Sequence, residues 1–443
     1  MPSSGARLPV VVAGILAVLL AVSVAWALSL QAEIDQVARG PSSTPGPSGS
    51  TETPVGPASH GLPSDSPRPS ATLPTGAAEV DGAVWYPPQA EEASILIASG
   101  ASTPEARQRA DVVVSGSAED EINAALDRLG QAGGGQLRLL GGRYELDGPI
   151  VMSAGGLALV GETVGNGVGY SAAAIGSQIV PSDAFPGGEF LVHATPDAYG
   201  PMVSLLHLDG LDRAQGLLVE GPRPTVSLNV VTQATRTGMR FAGESTGVRP
   251  YDGFVLFNRV FDGGGIGILH DERSGDMLIE GNVVFRNEGD GFTCFGASQM
   301  YRVNHAYNNG GVGLRVIPGC VRTRLSSNKW EGNTQGGVSI EGGSGFTIVG
   351  DTFAHNEGDQ ASAPSHIEIG VRGAGQTTGV MLWGLSFGKG SDGNPHLIHV
   401  GALGRQVHLG PVHSAGGFTR EAIRVDPGGE LQFYEPVADP TSD

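Results

Sequence analysis

Lysine is almost missing from this chain of 443 residues; Lys329 and Lys389 are the only two. Lys and Arg together number 26 against 45 Asp and Glu, a net charge of -19. A nucleic-acid binder needs a basic footprint, so that class of partner is excluded. Unassisted binding of polyanions is disfavoured as well, unless calcium bridges carboxylates on both partners. Aromatic residues make up only 6%, whereas glycine reaches 71 residues. That balance suits many tight turns rather than a helical bundle. Cysteine is equally scarce. Cys294 and Cys320 would have reason to pair in an exported protein. Yet they stand twelve and sixteen residues past the repeat markers Asn282 and Asn304, in different columns. A disulfide and two free thiols are both left open, and no metal motif includes them.

Helical periodicity is also missing from the middle of the chain, and what stands there instead is a repeat. Five segments between Phe254 and Ile369 each carry a short apolar strand, an Asn or Asp, an Asn/Gly turn and a second strand. The markers are Asn258, Asn282, Asn304, Asn328 and Asp351, spaced 24, 22, 24 and 23 apart. A second column, Asn287, Asn309, Asn333 and Asn356, follows five residues behind the last four markers. Strands at a period in the twenties, with neither helices nor a Leu ladder, predict a β-solenoid. The Asn columns are expected to be a structural ladder, because Asn accepts tight-turn angles and its amide can link one coil to the next.

The chain divides by composition. Leu8 to Ala32 is uncharged and long enough to span a bilayer, with Arg7 before it and Glu33 and Asp35 after it. Residues 1–39 are therefore expected to be a cytoplasmic stub with a membrane anchor. A signal peptide cut near Ala25-Trp26-Ala27 is the alternative. Residues 40–79 form a Pro/Ser/Thr-rich linker that cannot bury enough surface to fold. Residues 80–425 are globular, and 426–443 read as a C-terminal tail with a strand near Leu431. Within the globular part, Ser117-Ala118-Glu119-Asp120 opens an amphipathic helix like a capping box, with Ile122, Ala125, Leu126 and Leu129 on one face.

The run from Asp111 to Glu162 resembles the opening of pectate-lyase-like, right-handed parallel β-helix proteins, in which such a helix caps the solenoid. The resemblance covers about Asp111 to His413. It implies an all-β, single-stranded right-handed parallel β-helix behind an N-terminal capping helix. It does not fix an activity, since lyases, hydrolases, epimerases and tailspikes share that fold. The Asn-Thr-Asp, Asp-Asp and Gly-His-Gly motifs of polygalacturonases are missing. So are the Asp-Pro-His-Asp of alginate epimerases and the Asp-His strand motif of pectate lyases. No catalytic residue is carried over.

A filled solenoid leaves only outward faces for chemistry. After each turn the first and third strand residues point inward and the middle one faces solvent. The middle column is Leu269, Thr293, Arg315, Ser339 and Glu368; two residues along lie Asp271, Phe295, Ile317, Glu341 and Gly370. This places Asp271, Arg315, Glu341 and Glu368 on one face as candidate catalytic residues. Phe295 is a sugar-stacking candidate and Arg372 a binding neighbour. Carboxylates with an Arg suit polyuronate elimination or glycoside hydrolysis. His270, in an interior column, is expected to be a hydrogen-bonded core histidine. Calcium is the single candidate cofactor, through Asp276 or Asp290 beside turns. The expected function is an exported cell-surface protein associated with polysaccharide, as a lyase or glycosidase. The alternative is a non-catalytic envelope binding or spacer module, and the sequence leaves the choice open.

Overall fold

The computed structural model describes residues 78–80, 83–85, 93–162, 176–243, 247–356, 365–373, 375–388, 396–414 and 422–434. The apolar stretch Leu8–Ala32 and the linker lie outside these residues. Among the described residues no helix is long and apolar enough to cross a membrane.

Each coil of the repeat contributes one strand to each of three parallel sheets. Two sheets have eleven strands and one has fourteen, and hydrogen-bonded neighbours always come from successive coils through the repeat. The first sheet runs from Ile150–Met152 to Ile423–Val425. The second, of fourteen strands, ends on Leu431–Phe433, so residues assigned to the tail form its last rung. The third runs from Gly142–Leu146 to Val412–Ser414.

One coil shows how the sequence makes the corners. Leu278–Glu280 lies in the second sheet, Val283–Phe285 in the third and Phe292–Cys294 in the first. Between the first two strands stand Gly281, at φ +67°, and Asn282. Between the next two come Arg286, at φ +54°, and Asn287. A single left-handed residue turns the chain, and the Asn that follows points inward to satisfy the backbone groups the turn leaves unpaired. Asn282 Nδ2 donates to Val255 O at 2.8 Å and to Asn304 Oδ1 at 3.0 Å, and its backbone N–H donates to Asn304 Oδ1 at 3.0 Å. The same three bonds recur at Asn258 and Asn304, and Asn229 extends the ladder one coil towards the N-terminus. The second column, Asn287 to Asn356, is bonded in the same way.

The ladder ends on Asp351, which is fully buried. It takes the backbone N–H of Asn328 at 2.9 Å and the indole N–H of Trp330 at 2.8 Å. Trp can only donate, so its burial at this rung demands an acceptor, which a carboxylate supplies. Burial drives the Asp351 carboxyl up to about 7, against the lowering effect of those hydrogen bonds.

The core is stacked in columns. Ile268, Phe292, Leu314, Val338, Ile367 and Ile398 line the first sheet, each at most 1% exposed. Each such side chain contributes roughly 1.5–3 kcal/mol. The helix Glu119–Gln131 buries Ile122, Ala125, Leu126 and Leu129 against the strands Gly135–Leu139 and Ile150–Met152. Its start is not a capping box. Ala118 is the N-cap without a side-chain bond, while Ser117 donates to Glu119 and accepts from the Asp147 N–H.

Cys294 and Cys320 form a disulfide, with Cα atoms 6.0 Å apart and a sequence separation of 26. The turn at Pro318-Gly319 returns Cys320 to the interior beside the end of the strand that carries Cys294. Closing a loop of that length stabilises the fold by about 3–4 kcal/mol in the chain-entropy account.

His270 departs from expectation. It is fully buried and stacked on Phe241, with ring centroids 4.9 Å apart, yet neither nitrogen has a hydrogen-bond partner. Burial alone drives its pKa down to about 3.

Candidate functional site

The outward column of the first sheet runs in register through Arg240, Leu269, Thr293, Arg315, Ser339, Glu368, His399 and Arg424. Its middle stretch is not open to water as the strand alternation predicts. Thr293, Ser339 and Glu368 point away from the core but are at most 5% exposed, because charged side chains from neighbouring turns close over them.

Arg315 is the centre of this cover. Its Nε and Nη2 donate to Asp290 Oδ2 and Oδ1 at 2.6 and 3.1 Å, and Nη1 donates to Glu341 Oε1 at 2.5 Å. Burial opposes the charge on Arg315, but the hydrogen bonds and charges of Asp290 and Glu341 outweigh it and raise the pKa. Asp290 is placed by its turn, where Oδ1 accepts from the Val312 N–H at 2.8 Å and Oδ2 from the Thr293 hydroxyl at 3.2 Å. Ser339 donates to Glu341 at 3.4 Å. One coil further, Arg372 Nε lies 2.6 Å from Glu368 Oε2 without aiming its N–H at it, a charge contact rather than an aligned hydrogen bond. Gln335 joins the two halves. Its Oε1 accepts from Arg315 Nη2 and Arg372 Nη1, each at 3.4 Å, and its backbone carbonyl accepts from Arg372 Nη2 at 3.1 Å.

The structure thus brings together Arg315, Glu341, Glu368 and Arg372. It does not bring Asp271. The register puts Leu269 beside Thr293, with Arg315 one coil beyond, so Asp271 starts two coils, roughly 9.6 Å, from Arg315. It pairs instead with Arg240 in the nearer coil, at 2.5 and 3.1 Å. Phe295 is half-buried with its ring against Gly319, where a Cβ would fall 2.6 Å from the ring. It is packing for the next turn, not an open platform. Asp290, weighed above as a calcium ligand, is held by Arg315, and Asp276 stands exposed apart from it. Among the described residues no three His, Cys, Asp or Glu side chains converge as a metal site.

Three members are not placed on this face from the sequence, though Asp290 is weighed above as a calcium ligand. Asp290 and Gln335 sit in the turns before the strands, and the long reach of Arg315 and Arg372 joins them to the column. The third is His399, which follows Glu368 in register and accepts or donates at 3.0 Å with Asp426 Oδ2. Arg424 Nε holds the other Asp426 oxygen at 3.0 Å. Burial would raise the Asp426 carboxyl, but the bonds from His399 and Arg424 hold it below the usual range. Only the register between the last coils reveals this pair. The face therefore offers carboxylates, guanidiniums and an Asp-oriented imidazole in one row. Those groups can bind hydroxyls and carboxylates of a chain laid along the solenoid, and hold or move a proton at Glu368 or His399.

No protein-family model matches the chain, and no curated protein does either. Solved structures do. The chain is similar to the A-module of the Azotobacter vinelandii mannuronan C-5 epimerase AlgE4, with a TM-score of 0.51 and 14% identity, covering 72% of this chain and 94% of that one. It is also similar to the DFA-IIIase of Arthrobacter chlorophenolicus A6, without its lid and in complex with GF2, with a TM-score of 0.56 and 14% identity, covering 71% and 89%. The fold is a right-handed parallel β-helix. At this identity the likeness carries the fold alone. The β-helix places successive coils about 4.8 Å apart along the axis, so the row from Asp290 to Asp426 spans several coils of one face.

Proposed function

We infer that this β-helix is an exported, cell-surface protein that associates with polysaccharide along the outward face of its first sheet. The observation that carries the reading is the row of buried carboxylates covered by the half-buried guanidiniums of Arg315 and Arg372, which Gln335 joins. The neighbours in fold are carbohydrate-acting β-helix proteins, which supports a glycan as partner. Export draws support from the Cys294–Cys320 disulfide, which an oxidising compartment sustains, and from the apolar stretch Leu8–Ala32 as anchor or signal. In the anchored form the chain is a single-pass membrane protein with its C-terminal part outside.

Chemistry, if the face performs it, centres on Glu368 and its neighbour His399, with Arg372 and Arg315 to meet negative charge. Every carboxylate of the row already faces a guanidinium, and this favours binding over turnover. The test is retention of the protein on a panel of acidic and neutral polysaccharides, with calcium and with chelator. Ultraviolet absorbance of unsaturated sugars and new reducing ends are followed together. Retention is expected, weakened about tenfold by Glu368→Gln or Arg372→Ala. Absorbance with reducing ends marks a lyase, reducing ends alone a hydrolase, and retention with neither a non-catalytic module. Retention untouched by both substitutions sinks this face as the binding surface.

A further inference from the structure

The second sheet presents a different outward face. Near its C-terminal end stand Met381, Trp383, His408, Gln432 and Tyr434, none of them acidic and none a Lys or Arg. Met381 is 45% exposed, Trp383 41% and Tyr434 58%. Exposed large apolar groups gathered in this way call for a partner.

The next coil sets the position of the indole. A Cβ at Gly410 would lie 2.1 Å from Trp383 Cε3 and 2.6 Å from both Cδ2 and Cζ3. A point beside the ring edge at 2.1 Å from Cε3 would stand clearly farther than 2.6 Å from both flanking atoms, so this point lies over the ring face. The indole therefore lies flat on a backbone position that has to stay bare, with its other face outward. Gly410 is not in the left-handed region, and its N–H donates to Leu382 O at 2.8 Å. The local backbone has no need of glycine; the indole does. Tyr434 closes one edge, its ring centroid 6.2 Å from that of Trp383 with the planes at 67°. The His408 ring stands 6.0 Å from Tyr434, and Gln432 adjoins His408 in register.

We propose that Trp383 is a stacking subsite for a neutral sugar residue of a glycan, separate from the ion-paired row on the first sheet. A flat apolar face bounded by neutral hydrogen-bonding groups matches the C–H face of a pyranose, whose hydroxyls need partners at the rim. The Tyr434 hydroxyl, the His408 imidazole and the Gln432 amide supply that rim. A protein partner needs about 1,000 Å² or more of interface, and an anionic membrane needs clustered Lys or Arg. Five neutral residues meet neither requirement.

The experiment titrates the full chain with cellohexaose, mannohexaose and maltohexaose while tryptophan fluorescence is recorded. At least one sugar should shift the emission, and of the four tryptophans, Trp26, Trp85, Trp330 and Trp383, the last should carry the shift. Trp383→Phe should abolish the shift. Gly410→Ala, which lifts the ring without touching its chemistry, should weaken binding about tenfold. The emission reports Trp383 and not the first-sheet row, so this subsite and the first-sheet face stand or fall separately. Silence with all three sugars, an undiminished shift in Trp383→Phe, or full affinity in Gly410→Ala overturns the proposal. So does a shift produced by an amphipathic peptide and by none of the sugars.

Discussion

Asn333 and Gln335 are amides two residues apart, and they belong to different worlds. Asn333 is fully buried inside the solenoid. It accepts from the backbone and side chain of Asn309 at 3.2 and 2.9 Å and donates to Ala306 O and Asn356 Oδ1 at 3.0 Å each. Gln335 is exposed on the outer face and touches Arg315 and Arg372 at the limit of hydrogen bonding. Inside, the same residue recurs in coil after coil because every corner leaves the same backbone groups to satisfy. Outside, each member of the row occurs once. Repetition marks a structural demand and singularity marks a local one. Substitutions on the two sides of the wall should therefore separate stability from binding.

The largest effect is expected inside. Asn333→Ala takes away the acceptor of the Asn309 N–H and of Asn309 Nδ2 and the side-chain donor to the Ala306 carbonyl, at about 1–3 kcal/mol each, while Asn356 Oδ1 keeps the backbone N–H of residue 333. A loss of about 5 kcal/mol in denaturant unfolding is expected. A loss under about 1 kcal/mol would mean that water replaces the ladder at no great cost.

The next largest effect is the pH response at the end of the other ladder. The Asp351 carboxyl sits near 7 folded, well above its ordinary value in the unfolded chain. Its contribution is therefore full below about pH 4 and is lost as pH rises through 7, about 4 kcal/mol over the range at about 1.4 kcal/mol per unit. Asp351→Asn should flatten that slope in thermal melts recorded from acid to neutral pH; an unchanged slope would assign it elsewhere. His270 has the opposite sign. Its pKa falls to about 3, so its share of stability is present above the ordinary histidine range and is lost as pH falls towards 3. His270→Phe keeps the stack on Phe241 and removes two stranded nitrogens. A gain of about 1–3 kcal/mol at neutral pH is expected, with less acid lability.

Legibility in the sequence follows the same division. Asn258, Asn282, Asn304, Asn328 and Asp351 stand out because the fold repeats the need for them. Asn229 does not, because 29 residues separate it from Asn258 and break the period. Strand alternation gave the outward column, and with it Arg315 and Glu368. It misplaced Asp271 and the exposure of Ser339, because alternation fixes direction and says nothing of how far an Arg reaches or what closes over it. The pairing of His399 with Asp426 depends on the register between Ile398–Val400 and Ile423–Val425, where no repeat guides the eye. Trp383 had no column at all; its meaning depends on Gly410 in the next coil.

The smallest effect is the most discriminating. Gln335→Ala removes one exposed side chain and leaves both guanidiniums with their carboxylates, so stability should move by about 0.5 kcal/mol or less. Its Oε1 nevertheless holds Arg315 and Arg372 in one row across three successive coils. If a polysaccharide is gripped by that row as a unit, freeing the two heads should weaken retention about threefold, worth under 1 kcal/mol. Retention is compared with the melting curve of the same variant. Unchanged retention would show that the two charged halves act singly, and the outer face would then lose its claim to be one surface. A fall in stability like that of Asn333→Ala would place Gln335 on the structural side of the wall instead.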